Sequence, residues 1–485
     1  MGRGAQGAWV PLREHPGEPG PRYLSLYRQL REAILTGGLH PGIRLPSSRT
    51  LALDLDLSRT TVEEALGKLE GEGFLVRRVG DGTYVSPDLP MPFAGESERR
   101  TVLLGRQPTL SRRGEWILQC GASTGPPESR PFSAGPAPEA FPYDLWHRLL
   151  VRRSRSIGPA LLGSGDPSGY PPLREAIAEY LIGSRGVRCN PEDVVVLTSS
   201  QQALELLARL LLDPGDEAWV EEPGYRGARA ALSMAGARLV PVPVDAHGLD
   251  VSLGRSAAPH ARLVYTTPSH QYPLGPALCL ERRLALLAWA RSSGAWVLED
   301  DYDSEFRYVG RPLAAIQGLE SAAPVVYIGT FSKAMFPALR LAYVVAPPAV
   351  VAGLRAGRSF QDGHPPTLSQ AVLADFIREG HFHVHIRKMR TLYRARRDAL
   401  LDALAVSAGG LRAGHADAGL HVPAFLPGED SDQAIAVLAG RKGLDLACLS
   451  SHYLGEPQRQ GFVLGFSALS PAQIQKSVRK LGALL

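Results

Sequence analysis

The hydrophobic pattern near the start of the chain predicts three amphipathic helices and a hairpin within residues 24–86. Leu26, Leu30 and Ile34 recur at helical spacing in the first segment. A short helix over SSRTLALDL and a longer one over LSRTTVEEALGKLEGEGFL follow. The segment LVRRVGDGTYV then surrounds a glycine-rich turn, which indicates a β-hairpin. Two short helices joined by a tight turn, with a hairpin behind them, are typical of a winged helix-turn-helix.

The third predicted helix begins with hydrogen-bond donors, namely Ser58, Arg59, Thr60 and Thr61. A recognition helix enters the major groove by its N-terminal end, so donors there can reach base edges. Arg77 and Arg78 of the hairpin can contact phosphates. Acidic and basic residues are equal in number over residues 1–90, so DNA contact requires one basic face. Periodicity alone also allows three helices and a hairpin with no DNA role.

The chain changes character between residues 88 and 130, where proline, glycine and charge dominate and apolar runs are brief. This composition predicts a linker. Its arginine pairs, Arg99-Arg100 and Arg112-Arg113, are consistent with DNA contact or with a solvated linker. We therefore expect a DNA-binding domain over 20–87, a linker over 88–130 and a larger domain over 131–485.

From residue 131 onward, short apolar runs alternate with helical patterns. The runs are DVVVLTS, EAWVEE, ARLVPVPV, ARLVYTTP, AWVLEDD, PVVYIG and LAYVVAP. This alternation predicts an α/β fold with a mostly parallel sheet covered on both faces. Ligands in such folds bind at the carboxyl ends of the strands.

Ionisable and polar residues follow these runs at the predicted strand ends. They are Ser200 and Gln201, Tyr225, His270, Asp300 and Tyr302, and Lys333. Pyridoxal 5′-phosphate requires such a set: a lysine, an acid at its ring nitrogen, and a phosphate-binding turn. Taken singly, each has a simpler interpretation. Lys333 can be a solvated surface lysine, Tyr225 a core residue, and Asp300–Asp303 a loop that caps the next element.

Composition narrows the classes of protein to consider. The formal net charge of +5 permits nucleic-acid binding without establishing it. No apolar run is long enough to cross a membrane and no signal core precedes the first helix, so we expect a cytoplasmic protein without membrane contact. The four cysteines are widely spaced and form no CxxC, which argues against a disulfide framework or zinc site. His381, His383 and His385 do not share one face of a helix, so we expect no metal there.

The segment LHPGIRLPSSRTLALDLDLSRTTVEEALGKLEGEGFL resembles the winged helix of the GntR family. The resemblance implies that DNA is contacted by Arg49, Ser58, Arg59, Thr60 and Thr61 and by the wing glycines Gly80 and Gly82. Glu63 departs from the pattern, because several members carry a phosphate-binding arginine at this position.

Residues 131–485 resemble fold-type I aminotransferases, and the whole chain resembles the MocR/GabR-type subgroup of GntR regulators. DPSGYPPLREAIAEYL, TPSHQYPLG, LEDDYDSEFRY and GTFSKAMFPALRLAY carry the resemblance. It implies an internal aldimine at Lys333, a ring-nitrogen contact from Asp300, and a phenolic-oxygen contact from Tyr302. It further implies ring stacking by Tyr225, His270 near the ring, and phosphate contacts from Ser200, Gln201, Thr330, Ser332 and Arg340.

Departures from the enzyme pattern favour a sensor over a catalyst. Ser164 stands where relatives carry a tyrosine that reaches the partner's phosphate, and Leu464 where aminotransferases carry the arginine for the substrate carboxylate. Arg226 and Arg229 are candidate substitutes for that arginine. We expect a transcription regulator whose aminotransferase-like domain senses an amine, an amino acid or the cofactor itself. The alternative is an active aminotransferase with a fused DNA-binding head. The resemblance also implies a head-to-tail homodimer that binds paired half-sites.

Overall fold

A computed structural model describes residues 21–89, 109–120, 131–158, 163–310, 313–321, 323–407, 410–428 and 430–485. The chain divides into two compact units, Met1–Thr109 and Leu110–Leu485. Residue 20, where the DNA-binding domain was predicted to begin, and the pair Arg99-Arg100 lie outside the described residues. Among the helices that the structure describes, none has both the length and the apolar character needed to span a bilayer.

The first unit is the winged helix predicted from the sequence. Its elements are α1 (Arg22–Leu35), α2 (Ser48–Asp54), α3 (Arg59–Gly71), β1 (Leu75–Arg78) and β2 (Gly82–Val85). The apolar stripe of α1 is fully buried and packs with the stripe of α3 in one core. The periodic positions read from the sequence are therefore the positions that hold this unit together.

Side-chain caps fix where α2 and α3 begin. The Ser47 hydroxyl accepts a hydrogen bond from the backbone N–H of Thr50 at the start of α2. The Ser58 hydroxyl does the same for Thr61 at the start of α3, at 3.1 Å. Each cap satisfies an N–H that the helix leaves unpaired.

The wing is an antiparallel pair in which Leu75 faces Val85 and Arg78 faces Gly82. Gly82 has a φ of +130°, and a β-carbon there would lie 2.8 Å from Nε of Arg44. The backbone at this turn therefore requires glycine.

A helix, α4 (Arg112–Cys120), lies within the stretch predicted to be a linker. It belongs to the second unit and includes the pair Arg112-Arg113. Its nine residues make about two and a half helical turns, a length that the composition-based prediction of a linker did not resolve.

The second unit is an α/β domain with two sheets. Its helices are α5 (Tyr143–Ile157), α6 (Pro171–Arg185), α7 (Ser200–Leu211), α8 (Arg226–Met234), α9 (Val251–Ala257), α10 (Leu280–Ser293), α11 (Ile316–Leu319), α12 (Phe331–Ala334), α13 (Pro348–Gln361), α14 (Thr367–Arg378), α15 (His381–Ser407), α16 (Asp432–Arg441) and α17 (Pro471–Gly482). Its strands are β3 (Val194–Leu197), β4 (Glu217–Glu222), β5 (Arg238–Asp245), β6 (Gly248–Leu249), β7 (Leu263–Thr266), β8 (Trp296–Asp301), β9 (Val325–Thr330), β10 (Ala342–Val345), β11 (Arg412–Ala413), β12 (His421–Phe425), β13 (Ala447–Cys448) and β14 (Gly461–Gly465).

The large sheet has the order β3-β10-β9-β8-β7-β4-β5-β6, and the smaller one the order β11-β12-β14-β13. All seven apolar runs read as strands form strands of the large sheet. Strands β5, β4, β7, β8 and β9 are parallel neighbours, while β10 runs antiparallel to both β9 and β3. Strands β3, β4, β7, β8 and β9 consequently end at one edge, as the sequence predicted.

A buried ion pair ties α6 to the middle of the large sheet. Nε of Arg185 donates to Oδ2 of Asp301 at 2.8 Å, and both side chains are almost fully buried. The same guanidinium donates to Ser269 and to the carbonyl of Leu313, while the Tyr327 hydroxyl donates to Asp301. This network joins five segments next to the strand end that carries Asp300.

We expect Arg185→Met to lower the free energy of unfolding by roughly 3–5 kcal/mol, because it leaves the Asp301 carboxylate buried without its cation. Arg291 pairs with Glu320 at the surface, so Arg291→Met is the matched control and should cost less than about 1 kcal/mol. Urea denaturation of the full chain followed by fluorescence measures both. Equal losses in the two variants would show that the Arg185 network does not stabilise the unit.

Candidate functional site

A cavity of about 310 Å³ opens at the edge where the parallel strands end. Its lining comes from the turns after β3, β4, β7, β8 and β9 and from the start of β12. The lining residues are Ala134, Ser199, Ser200, Gln201, Tyr225, Tyr265, Thr267, Tyr272, Asp300, Tyr302, Asp303, Thr330, Ser332, Lys333, Arg340, Leu420 and His421. Nine of the ten residues predicted to surround the cofactor are in this set.

One part of the lining carries groups that suit a phosphate. Ser199 caps α7 by accepting from the N–H of Gln202, which places Ser200 and Gln201 in the first turn of that helix. The Thr330 hydroxyl accepts from the N–H of Ser332 across the turn after β9. Arg340 contributes a cation from a left-handed backbone conformation with φ of +52°. Hydroxyls, a helix N-terminus and a guanidinium together form an anion site.

Asp300 is one of two buried acids that line the cavity, the other being Asp303. Oδ2 of Asp300 accepts a hydrogen bond from the Tyr265 hydroxyl at 2.7 Å, whereas its Oδ1 is buried with no hydrogen-bond partner among the described residues. Burial raises the pKa of Asp300 to about 7, and the Tyr265 hydrogen bond only partly opposes that rise. An unsatisfied buried carboxylate oxygen suits a cationic N–H donor such as a protonated pyridine nitrogen.

Lys333 lies in the short helix α12, directly after β9. Its Nζ donates to the carbonyl of Ala134 at 3.0 Å. Burial lowers the pKa of Lys333, and the nearby Asp303 carboxylate counteracts part of this. His385 holds the end of α12, because its Nε2 donates to the carbonyl of Ala334 at 3.0 Å. A desolvated lysine of lowered pKa is a more effective nucleophile towards a carbonyl group.

Tyrosines form the aromatic walls of the cavity. Tyr225 meets Tyr272 edge to face, with ring centroids 5.9 Å apart. Burial and then the Asp300 charge raise the pKa of Tyr225 to about 12, so its ring is neutral at physiological pH. Tyr225 is thus a candidate for stacking on a flat cofactor ring.

His270 is the predicted residue that does not line the cavity. It is buried behind Asp303, with its Nδ1 3.0 Å from Oδ2 of that carboxylate. The Tyr302 hydroxyl donates to the His270 carbonyl at 3.0 Å and also lies 3.0 Å from Nδ1. His270 therefore positions two lining residues instead of facing the cavity itself.

In the winged helix, most of the predicted DNA contacts are available at the surface. Arg49, Arg59 and Thr60 are exposed, as is Gly80 at the wing. Ser58 is exposed but its hydroxyl already caps α3, and Thr61 and Gly82 are partly buried.

The wing arginine Arg77 is less available than the sequence suggested. Its guanidinium lies 3.0 Å from Glu63 and 2.9 Å from Glu70. A hydrogen bond from Ser48 lowers the pKa of Glu63, with further help from Arg77, so this carboxylate is charged at neutral pH. The residue that departs from the GntR pattern thus holds a wing cation on the protein itself.

Comparison with known proteins agrees with both units. Residues 22–85 match the family of bacterial regulatory proteins of the gntR type, and residues 142–481 match aminotransferase class I and II. The chain is 40% identical over 464 residues to the probable rhizopine catabolism regulatory protein MocR of Rhizobium meliloti, covering 95% of this chain and 93% of that protein. The chain belongs to the MocR-type GntR regulators.

One further relative and one solved structure are similar to this regulator over its larger unit. The pyridoxine biosynthesis transcriptional regulator PdxR of Corynebacterium glutamicum is 31% identical over 95% of each chain. The solved structure of LysN, an α-aminoadipate aminotransferase from Thermus thermophilus complexed with N-(5′-phosphopyridoxyl)-L-leucine, has a TM-score of 0.68 at 28% identity. It covers 77% of this chain and 94% of that one. The regulator binds DNA through its GntR unit and pyridoxal 5′-phosphate through its aminotransferase-like unit.

The structure corrects the role assigned to Leu464. Leu464 pairs with Val422 on the face of β14 that packs into the large core, and it does not line the cavity. His421, which does line the cavity, pairs with Gly465, and Val463 pairs with Pro423 on that same face. Val463, one residue earlier, therefore shares the face of the sheet with His421, whereas Leu464 lies on the opposite face. The arginine that binds the substrate carboxylate in aminotransferases is still missing, because β14 carries no basic side chain on either face.

Arg226 and Arg229, the candidate substitutes for the carboxylate-binding arginine, do not line the cavity. Arg229 is buried and donates to the carbonyl of Ser451 at 3.1 Å, and neither it nor Arg226 is among the lining residues. Ser164, the other departure, is exposed. In α15, His385 is buried against Ala334 whereas His381 pairs with Glu379, so these two histidines face different partners.

Sequence reasoning gave no role to several lining residues: Tyr265, Thr267, Tyr272 and His421. Tyr265 and Thr267 lie in and after a predicted strand, so their positions at the strand end were a usable signal. His421 enters from the smaller sheet, and no spacing in the sequence links it to Lys333.

Asp300 makes the stability of the cofactor-free protein depend on pH. Its pKa rises from 3.8 to about 7 on folding, so its favourable contribution is present below pH 4 and is lost as pH rises to 7. We expect cofactor-free Asp300→Asn to be more stable than wild type, by an amount that grows with pH to roughly 3–4 kcal/mol at pH 8. Urea denaturation from pH 4 to 8 measures this difference.

The exposed Asp402→Asn variant serves as the matched control and should show no such trend. Saturating pyridoxal phosphate should reverse the order, because the variant lacks the carboxylate for the ring nitrogen. A stability difference between wild type and Asp300→Asn that stays constant with pH would contradict the buried-acid description.

Loss of the Glu63 ion pair leaves Arg77 held by Glu70 alone and should strengthen DNA binding. We expect Glu63→Gln to raise affinity for duplex DNA roughly three- to tenfold and to steepen its salt dependence by about one phosphate contact. Glu64→Gln removes the same charge from the neighbouring exposed position and should change affinity less. Fluorescence anisotropy over a salt series measures both. Equal increases in DNA affinity for Glu63→Gln and Glu64→Gln would mean that the change in net charge alone accounts for the effect.

Proposed function

We propose that this protein is a transcription regulator in which an amine or the cofactor itself, bound in the aminotransferase-like unit, changes DNA binding by the winged helix. The observation that carries the proposal is the cavity in which Lys333, the unsatisfied Oδ1 of Asp300 and the Ser200–Arg340 anion site converge. Pyridoxal phosphate supplies an aldehyde that reacts with primary amines and a ring that withdraws electrons.

The lining residues fit this cofactor in defined roles. Asp300 would hold the ring nitrogen, Tyr225 would stack on the ring, and Lys333 would form the covalent link. Tyr302 would lie at the phenolic oxygen, with His270 holding its hydroxyl. The phosphate would be held by Ser200, Gln201, Thr330, Ser332 and Arg340.

A sensor is favoured over an aminotransferase because β14 has no arginine on the face that it shares with the cavity-lining His421. With Val463 on that face, an α-amino acid has no cation from β14 to hold it through repeated turnover. Relatives named for rhizopine catabolism and for pyridoxine biosynthesis indicate that the group responds to different compounds. The second name supports the cofactor itself as an alternative signal.

We propose that the regulator acts as a head-to-tail homodimer on paired half-sites. Two winged helices related by a two-fold axis require two half-sites at a spacing set by the dimer. Binding in the cavity would then alter that spacing through the shape of the sensor unit. DNase footprinting on the protein's own upstream DNA should show two protected half-sites. A single protected half-site at saturation would contradict the dimer.

Lys333→Ala tests the sensor directly. We expect the variant to lose the near-ultraviolet and visible absorbance band of the lysine-linked cofactor, because no lysine remains to form the covalent link. It should also lose the change in DNA affinity that cofactor or amine produces in the wild type. The exposed Lys476→Ala variant is the matched control and should retain both properties. Retention of the band and of the DNA response in Lys333→Ala would overturn the proposal.

A further inference from the structure

Asp303 and His421 line the cavity and have no assigned part in holding the cofactor. Both lie close enough to Lys333 to influence or respond to its charge. Together with His270 they form a buried cluster in which one nitrogen or oxygen atom of each lies within 4.8 Å of the others. Asp303 and His421 line the same cavity as Lys333, so a group attached to an amine that reaches Lys333 can meet them.

The cluster presents hydrogen-bond acceptors. Nε2 of His421 lies 3.2 Å from the carbonyl oxygen of Pro273, and because a carbonyl only accepts, this nitrogen carries the proton. Burial, followed by the nearby His270, lowers the pKa of His421 well below its ordinary value, so the ring is neutral. Its Nδ1 is then an acceptor, as are the oxygens of the Asp303 carboxylate.

The surrounding backbone fixes these acceptors in place. Asp303 is held by Nδ1 of His270, and both side chains are at least 98% buried. A β-carbon at Gly419, where φ is +79°, would lie 2.6 Å from Oδ2 of Asp303 and would also collide with the His270 ring. The pair is packed too tightly for Asp303 to turn away from a poorly matched ligand.

Positive charge is absent from this part of the lining. Among the described residues that line the cavity, the cations are Lys333 and Arg340, since the His421 ring is neutral. In the proposed function Lys333 reacts with the cofactor and Arg340 holds its phosphate. A carboxylate on the effector would face Asp303 and a histidine acceptor, which is repulsive in a desolvated site.

We propose that the effector is a primary amine whose second polar group is a hydrogen-bond donor, either a hydroxyl or a second ammonium, and that Asp303 accepts from that group. This inference rests on the proposed function and narrows it, since it excludes amino acids as the preferred signal. Asp303 is a specificity-determining residue, and His270 positions it.

The test compares four amines that share a four-carbon chain and differ only at the far end. They are butylamine, 4-aminobutan-1-ol, 1,4-diaminobutane and 4-aminobutanoate. Each is titrated into the cofactor-loaded full chain while the cofactor absorbance band is followed. We expect the amino alcohol and the diamine to half-saturate the change at concentrations about tenfold or more below those of 4-aminobutanoate, with butylamine between them.

Asp303→Asn should reduce the differences between the half-saturating concentrations of the four amines. The amide cannot attract a cation and no longer repels a carboxylate, so the preference for diamine over 4-aminobutanoate should fall about tenfold. The surface variant Asp402→Asn removes an equal charge and should leave the ranking unchanged. If Asp303→Asn fails to load cofactor, the wild-type ranking still decides the inference.

Three results would overturn the inference. One is tighter or equal binding of 4-aminobutanoate by the wild type, and another is an unchanged ranking in Asp303→Asn. The third is a spectral response that needs added Zn²⁺ and disappears with EDTA, which would make the cluster a metal site. Failure of the proposed function is distinguishable, because cofactor and amines would then leave the DNA affinity of the wild type unchanged, whatever the ranking of the four amines.

Discussion

The buried carboxylate of Asp300 is the group on which the rest of the cavity depends. One of its oxygens is satisfied by Tyr265 and the other has no partner, so folding alone leaves an acid that is costly to ionise. A ligand with a cationic ring nitrogen relieves that cost, because it supplies both the missing hydrogen bond and the opposite charge. Cofactor binding and the stability of the sheet edge are thereby coupled.

The order of the strands explains how this acid meets its neighbours. Strand β8 carries Asp300 and lies between β7, which supplies Tyr265, and β9, which leads into Lys333. Strand β3 is separated from β9 only by the antiparallel β10, so the start of α7 reaches the same edge. The Arg185–Asp301 pair braces the sheet directly behind the acid. Precise placement of the site thus follows from packing in the sheet.

The sequence predicted the parts of the site that follow from strand ends. Lys333, Asp300 and Ser200 each come directly after a recognisable apolar run, and parallel strands bring such positions together. His421 could not be found in this way, because it enters from a separate sheet. Leu464 shows a second limit: a register that is wrong by one residue exchanges the two faces of a strand, and only pairing with β12 reveals the error. The helix α4 was missed because charge and proline dominate its surroundings.

Reciprocal coupling between the two units is the central claim, and equilibrium linkage gives its most direct measurement. If cofactor or effector binding changes DNA affinity by some factor, DNA must change their affinity by the same factor. The measurement is the dissociation constant of pyridoxal phosphate and of 1,4-diaminobutane, with and without saturating upstream DNA. The account predicts that at least one constant shifts by about fivefold or more, matched by an equal shift in DNA affinity. Constants that do not change when DNA is added would contradict it.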